Sequence, residues 1–398
     1  MIHRIPAAVT PLGEWLSEVA DRVTLVTGDD GYERYREAFP RVYAVPDYSA
    51  NRVVEPLLGE ICRQRPVSTL IHVTEDDILR CARVRDDHDL TGSRYADVLA
   101  WRDKYEMKRA VSAAGVRTPQ FAVPADFADA RKFATHASYP LVAKPRLGYA
   151  SHGVTLVTED AELAHCAATW EPDDVMLESY TKGEVFHVDG FCQDGKVLYV
   201  SVSRYLNNCL SFQEGLPLGS VQLDRVTEQW DRFADLSTQV VAALPPLGFC
   251  PFHLEVFREP GGELVFCEIA CRLGGAHIME TLTYATGVNP ARLWIRHQAG
   301  LDDGPATPLD TTGACYGWLL IPPRVGRLVE VCEPVGVSFI KDFIVKTRVP
   351  REFDGAHGST DSVVAFVVEG ADSQEVERNL AACIDLADDL VRWERTDG

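Results

Sequence analysis

Glu255 and Glu268 are the residues whose placement most clearly poses a chemical question. They lie in FHLEVFREPGGELVFCEIA, two alternating apolar runs joined by Gly261-Gly262, a pattern that predicts a β-hairpin. With the glycines central in the loop, Pro260 faces Glu263 and Glu255 faces Glu268. Directly opposed Cβ atoms are about 5 Å apart, and like charges there repel. A divalent cation between the two carboxylates removes that repulsion, and Mg²⁺ favours one or two carboxylates together with phosphate oxygens. The alternative is a solvated acidic pair on an outer face. IACRLGG follows and sets Arg272 beside two glycines, where a guanidinium can take a phosphate or carboxylate in fork geometry.

A second group precedes the hairpin. Lys144 ends the run PLVAK, and the loop PRLGYASHGV brings Gly148, Ser151 and Gly153, whose backbone N–H groups can approach phosphates. This is not a P-loop, since Val154 rather than Lys follows the second glycine. Lys104 and Lys108 stand i, i+4 on a helix, and VMLESYTKGEVF adds Glu178 and Glu184. Taken singly, each of these is as well explained as a surface charge. His253 shares a strand face with Glu255, and His277 follows Gly274-Gly275; for both, and for His187, a hydrogen-bonded structural histidine is the competing reading.

The elements that must position these residues are legible in outline. RVTLVTG (Arg22–Gly28) and STLIHVT (Ser68–Thr74) read as buried parallel strands, with helices over Val53–Arg65 and Asp76–Asp87, which gives a small open-sheet α/β unit. Asp103 is an N-cap for a helix whose buried face is Met107, Ala110, Val111 and Ala114, stopped by Gly115. Strand PLVAKP, the glycine loop, VTLV, a helix over Asp160–Thr169 and DVMLESY follow. A first hairpin turns at Asp194-Gly195 and the second at Gly261-Gly262. One helix from about Ile278 to Gly300 leads into Pro-rich DDGPATPLD, a subdomain boundary, and a β-rich remainder closes with an amphipathic helix over Gln374–Val391.

Composition narrows the partners. The 398 residues are 46% apolar and 25% charged, the mix of a globular protein with room for two or three cores. A net charge of −20 repels nucleic acid and anionic lipid, so neither is expected to bind. An anionic ligand must then be held by a few focused cations or a metal. No apolar run reaches membrane-spanning length and the N-terminus has no export signal, which predicts a cytoplasmic protein. Eleven scattered cysteines without a C-x-x-C pair predict reduced thiols and neither a disulfide framework nor a zinc site.

The order of these features is more specific than any of them: DK at a helix start, Lys plus glycine loop, E-x-x-x-x-G-E after a strand, then the Glu…Glu hairpin closed by x-R-x-G-G. From about Asp103 to Gly300 the chain resembles the ATP-grasp superfamily. RDKYEMKRAVSAAGVRTP and GEVFHVDGF are most similar to its bacterial L-amino acid ligase branch. The resemblance implies an α/β (α+β) ATP-grasp fold. Its parts would be an N-terminal open-sheet α/β domain (1–102), an ATP-grasp domain (103–301, lid about 115–180) and a C-terminal β-rich subdomain (302–398).

It also implies roles. Lys104 and Lys144 would bind the phosphates of ATP under a lid formed by Gly148–Gly153 with Ser151. Glu178, Ser179 and Thr181 would belong to a hinge strand that reads adenine through its backbone, and Glu184 would bond the ribose. Glu255 and Glu268 would hold Mg²⁺, Arg272 would grip the transferring phosphoryl group, and Gly275 and His277 would lie near substrate. The implied reaction joins a carboxylate to an amine through an acylphosphate. Alternatives are transfer to a carrier-protein thiol or a silent ATP-binding protein, and a homodimer is the commonest assembly for such a chain. Where the family commonly has E-x-N-x-R, this chain has Ala270, so a second Mg²⁺ would lose a ligand. The stretch Ser203–Leu223 and the segment after Arg324 are expected to line the substrate cleft.

Overall fold

The computed structural model describes residues 1–6, 9–49, 51–171, 173–207, 211–225, 227–301 and 313–394. The expected boundary at DDGPATPLD (Asp302–Asp310) lies outside the described residues, as do 208–210 of the Ser203–Leu223 stretch.

The N-terminal unit contains β1 (Thr24–Thr27) and β2 (Arg41–Ala44), which are parallel. The helices Val54–Gln64 and Asp77–His88 form where apolar periodicity placed them. Ser68–Thr74 is extended but makes only an isolated bridge, Thr69 to Thr91, rather than a ladder. Its neighbours explain this: the Ile2 amide donates to Ile71 O, while the side-chain amide of Gln298 satisfies both backbone groups of His72. A side chain from a distant helix thus does the work of a strand.

The stretch where a lid is expected contains a four-stranded sheet of β3 (Phe121–Ala122), β4 (Leu141–Pro145), β5 (Thr155–Val157) and β6 (Val175–Ser179), in order β3-β6-β4-β5. Helices Phe127–Ala137 and Asp160–Ala167 cover it around a small core of its own, built on Ala130, Leu141, Val157, Leu163 and Leu177.

An antiparallel ribbon carries the rest: β7 (Glu184–Gln193), β8 (Lys196–Tyr205), β9 (Leu218–Gln222), β10 (Cys250–Arg258), β11 (Leu264–Ala270) and β12 (Cys315–Ile321). After them come β13 (Val325–Val331), β14 (Ile340–Val345), β15 (Arg351–Asp354), β16 (Val364–Gly370) and β17 (Val391–Trp393). Eight of these form one sheet, β11-β10-β7-β8-β9-β12-β16-β14, and the other three a small sheet, β15-β13-β17. The large sheet runs straight through position 302, because β12 pairs with β9 and β16 pairs with β12. Across the boundary expected there, Trp318, Leu320 and Val367 pack in the same core as Phe186 and Phe252, while Leu319, Phe366 and Leu380 belong to a second core.

Two local expectations need correction. The helix expected from Ile278 to Gly300 is two, Ile278–Thr286 and Pro290–Gln298. Gly287 takes φ +70, which only glycine adopts freely, and Asn289 caps the second helix with Pro290 at its first position. On the helix Lys104–Ala113 the buried face is Lys104, Met107, Lys108 and Val111, while Ala114 is exposed. Two lysines therefore point inward, the opposite of the usual solvent-facing role.

The described cysteines are free thiols, and Cys192 and Cys250, opposed across β7 and β10, keep their sulfurs 3.6 Å apart. Among the described residues no helix is long and apolar enough to cross a membrane. Gly190 in β7 tests the sheet packing, since a Cβ there would lie 2.1 Å from Tyr199 O and 2.7 Å from the Phe252 ring. Gly190→Ala is expected to destabilise the protein by about 1–3 kcal/mol in urea unfolding, and an unchanged midpoint would contradict this packing.

Candidate active site

The turn between β10 and β11 is a three-residue loop, with Glu259 N–H donating to Glu263 O and Gly262 at φ +85. Near it Val256 faces Phe266 and Arg258 faces Leu264, one residue out of the register expected with both glycines central. A bulge at Cys267 adds one residue to β11 and restores the offset, so that Glu255 does face Glu268. The bulge carbonyl is occupied: Lys108 Nζ donates to Cys267 O at 2.6 Å. The open edge of β11 is covered by the lysine-bearing helix and the chain after it, with Phe266 N–H donating to Arg117 O.

Around this hairpin lies a cavity of about 360 Å³. Lys104, Lys144, Gly148 and Ser151 line it, and so do Glu178, Ser179, Thr181, Glu255 and Glu268. The structure thus brings together in one hollow residues spread over more than 160 positions of chain. Tyr149 and His152 of the glycine loop, and Val142, Leu156, Val185 and Phe257, add apolar and aromatic surface.

The charges form an ordered network. Glu178 is buried, with Lys108 at 3.0 Å from one oxygen and Lys144 at 3.0 Å from the other. Lys104 reaches Glu268 at 3.3 Å and donates to Gly148 O at 2.6 Å, while Lys144 lies 4.0 Å from Glu268. Burial pushes the Lys144 ammonium down, but the carboxylates of Glu178 and Glu268 outweigh it and the net shift is upward. Lys108, for which burial dominates, is lowered despite Glu178. Burial pushes Glu268 up, yet Lys104 and Lys144 hold it down at about 2, so it carries its charge at neutral pH.

The glycine loop is draped over the hollow. Ala150, Ser151 and Gly153 all take positive φ, +51, +59 and +73. Among the described residues the amides of Tyr149, Ala150, Ser151 and Gly153 donate to no protein acceptor, the condition of a backbone nest for an anion. Tyr149 Oη donates to Asp76 at 3.2 Å and Ser359 Oγ to Ala150 O at 3.4 Å, so both the N-terminal unit and the C-terminal segment touch the loop. At the end of β6, the amides of Ser179 and Tyr180 already donate to Gln120 O and Pro140 O, leaving that of Thr181 free among the described residues.

Other expected residues are not part of the cavity lining, although Arg272 stays close enough to Glu268 and Glu255 for their charge to raise its guanidinium further. Gly153, Arg272, Gly275 and His277 are not among those lining the cavity. Glu184 is turned away from it: its carboxylate is ion-paired with Arg258 and lies 3.8 Å from Arg204, so alternation along β7 presents Val185 to the hollow instead. His277 is buried, and neither ring nitrogen has an aligned hydrogen-bond partner among the described residues, although Glu280 is 3.2 Å away. Arg272 donates from Nε to Glu75 at 2.8 Å and from Nη1 to Leu273 O at 2.9 Å. Glu75 went unremarked in the sequence; its only signal was its place just after an extended apolar run, where open α/β sheets bind ligands.

The histidines also gain partners that composition could not assign. Asp189 binds His187 Nδ1 at 2.5 Å and His253 Nδ1 at 2.8 Å, and His187 Nε2 meets Ser220 Oγ at 2.6 Å. The three are compact enough for a metal, yet both His187 nitrogens, both Asp189 oxygens and His253 Nδ1 are already taken by these bonds. His253 Nε2 lies 3.6 Å from Glu255, which also accepts from Tyr205 at 3.2 Å.

With this geometry in hand, comparison with known proteins is decisive for the fold. Residues 137–280 match the model of the ATP-grasp domain. The chain has the ATP-grasp fold. It is 26% identical over 298 residues to the L-arginine-specific L-amino acid ligase of Bacillus subtilis, covering 73% of this chain and 71% of that one. The L-amino acid ligase of Bacillus licheniformis superposes over 100% of this chain and 98% of its own with a TM-score of 0.74 at 17% identity. The biotin carboxylase domain of the Hydrogenobacter thermophilus 2-oxoglutarate carboxylase gives 0.70 at 14% identity, over 97% and 88% of the two chains, in a complex with MgADP and bicarbonate. Most of the residues around the hollow fall within the matched stretch, with Lys104 before it.

Burial lowers the His253 imidazolium, but Asp189 outweighs this and raises it to about 9. A folded-state value above the unfolded one stabilises the protein fully below about pH 6.5, and that contribution fades as pH rises through about 9. In chelator, unfolding free energy should fall by roughly 3 kcal/mol at most between these limits. His253→Gln should flatten the fall, and an equal slope in both proteins would refute the pairing.

Proposed function

We propose that this chain uses ATP to activate a carboxylate as an acylphosphate and joins the acyl group to an amine, with an amino acid as one substrate. The observation that carries the reading is the hairpin pair Glu255–Glu268, set against Lys104 and Lys144 beneath a glycine loop with unused amides. The amino-acid substrate rests on the similarity to the L-arginine-specific ligase, which covers most of both chains.

The residues fit a divalent cation. Two opposed carboxylates repel unless something positive stands between them, and Glu268 stays ionised. Glu255 and Glu268 would hold Mg²⁺, which supplies neutralisation of phosphoryl charge when bound. Ala270 sits opposite His253 and offers no ligand atom, so a second ion would depend on Glu268 and phosphate oxygens.

This chain's own groups divide the remaining work. The free Thr181 amide reads one edge of adenine, and Val142, Leu156, Val185 and Phe257 give the base an apolar berth. Lys144 and Lys104 neutralise the phosphates, and the loop amides of Tyr149 to Gly153 cap them. The substrate carboxylate attacks the γ-phosphorus in line, the bond to the bridging oxygen breaks, and ADP leaves. The loop keeps water from the acylphosphate. The amine then attacks the acyl carbon, Arg272 balances the oxyanion, and phosphate departs with the electrons of the C–O bond and takes up the proton that the nitrogen loses.

ADP release with ATP and Mg²⁺, screened over pairs of L-amino acids, tests the reading. Release that needs two particular partners is expected; equal release with either partner omitted would mean simple ATP hydrolysis and sink it. Under the productive conditions Glu268→Gln should abolish release, and excess EDTA should do the same to the unaltered protein. Lys144→Ala should raise KM for ATP by roughly tenfold or more, the loss of a charge-assisted contact of about 1.5–3 kcal/mol. Near-normal values in either variant would remove that residue from its role.

A further inference from the structure

We infer that Glu75, in the N-terminal unit, is the positioning residue that aims Arg272 at the phosphoryl site; the inference rests on the ligase reading above. Thr74-Glu75-Asp76-Asp77 sends three successive carboxylates to three places. Asp77 turns into the core and bonds Tyr48, Thr74 and Arg80. Asp76 pairs with Arg4 at 3.2 Å and accepts from Tyr149 of the glycine loop. Glu75, 9% exposed, takes Arg272, 197 positions further along the chain.

A guanidinium has five N–H donors in one rigid plane. In Arg272, Nε donates to Glu75 and one Nη1 hydrogen to Leu273 O. These two bonds fix the plane and its rotation, and among the described residues the other three N–H groups, all on the Nη edge, have no protein acceptor. That edge is the one that can grip a tetrahedral phosphate in fork geometry.

The second oxygen of Glu75 is also taken. Arg102 lies 3.5 Å from it, and Arg102 also donates to Leu147 O and to Gly148 O, the latter at 3.5 Å, in the glycine loop. One carboxylate therefore sets the relative placement of the phosphate-gripping arginine and the arginine that tethers the lid. A purely structural ion pair has no reason to leave three of the five guanidinium donors without a protein acceptor. Nor would it place its carboxylate on a segment whose next residue holds the same lid.

The test measures uptake of inorganic phosphate by the full chain at saturating MgADP, which needs neither amide-forming substrate. Glu75→Ala is expected to weaken phosphate binding by roughly tenfold or more while leaving MgADP affinity within about twofold. Glu75→Gln, whose carbonyl can still accept from Nε, should fall in between, and it serves if the alanine variant does not fold. In an Arg272→Ala background, Glu75→Gln should cause no further loss, because it acts through that side chain. The inference is overturned by wild-type phosphate affinity in both variants or by additive losses in the double variant. Parallel loss of MgADP binding, or absence of phosphate uptake by the unaltered protein, would overturn it as well. Failure of the amino-acid screen, by contrast, would strike the ligase reading alone.

Discussion

Much of the structure hangs on one buried carboxylate. Glu178 stands at the end of a lid strand and divides its oxygens between Lys108, on the helix after Asp103, and Lys144, at the end of a neighbouring lid strand. Lys108 goes on to cap the carbonyl of the Cys267 bulge. Three pieces of chain that share no continuous sheet (the helix, the β3-β6-β4-β5 sheet and the β10–β11 hairpin) are thereby fastened at one point. Taking away one partner of such a buried pair leaves a charge in a poor dielectric, at a cost of about 3–5 kcal/mol, so the joint tolerates little drift. It also leaves Lys144 poised within 4.0 Å of Glu268.

The second constraint is the bulge. Without the extra residue at Cys267, the register set by the Glu259–Glu263 loop would carry on, and Glu255 would face Cys267 instead of Glu268. Behind Glu255, the chain Ser220–His187–Asp189–His253 fills the sheet face with partners for every polar group named. Satisfied networks of this kind rigidify the face on which they lie. The acidic pair is thus pinned from behind while its front opens to the hollow.

The legible parts of the sequence were those written in local pattern. The Asp194-Gly195 turn appears with both residues at positive φ, Asp103 caps its helix, and the facing glutamates can be paired by counting across a turn. The count reached the right pair because a loop of one size and a bulge of one residue cancel. What could not be read depends on contacts remote in sequence. Lys108 looked like a solubilising lysine because its partner is 70 residues away. Glu75 had no motif, since its meaning lies in Arg272, 197 residues on. Glu184 matched a family spacing, yet a strand's two-residue alternation and Arg258 turn it outward. The break at Gly287 and Pro290 was visible and went unused beside the stronger apolar periodicity around it.

The strand order of the large sheet bears on how the chain comes together in time. β9 lies between β8 and β12, and β12 between β9 and β16, so the hydrogen-bonding edge of β9 stays open until residues about a hundred positions later have been made. Until β16 has joined, the half-built sheet presents an apolar strand edge to solvent, the kind of surface on which chains pair wrongly. Such remote pairings slow folding, because loop closure is opposed by entropy before any contact rewards it. During synthesis, therefore, the hollow can take shape around the hairpin well before the sheet that carries it is closed.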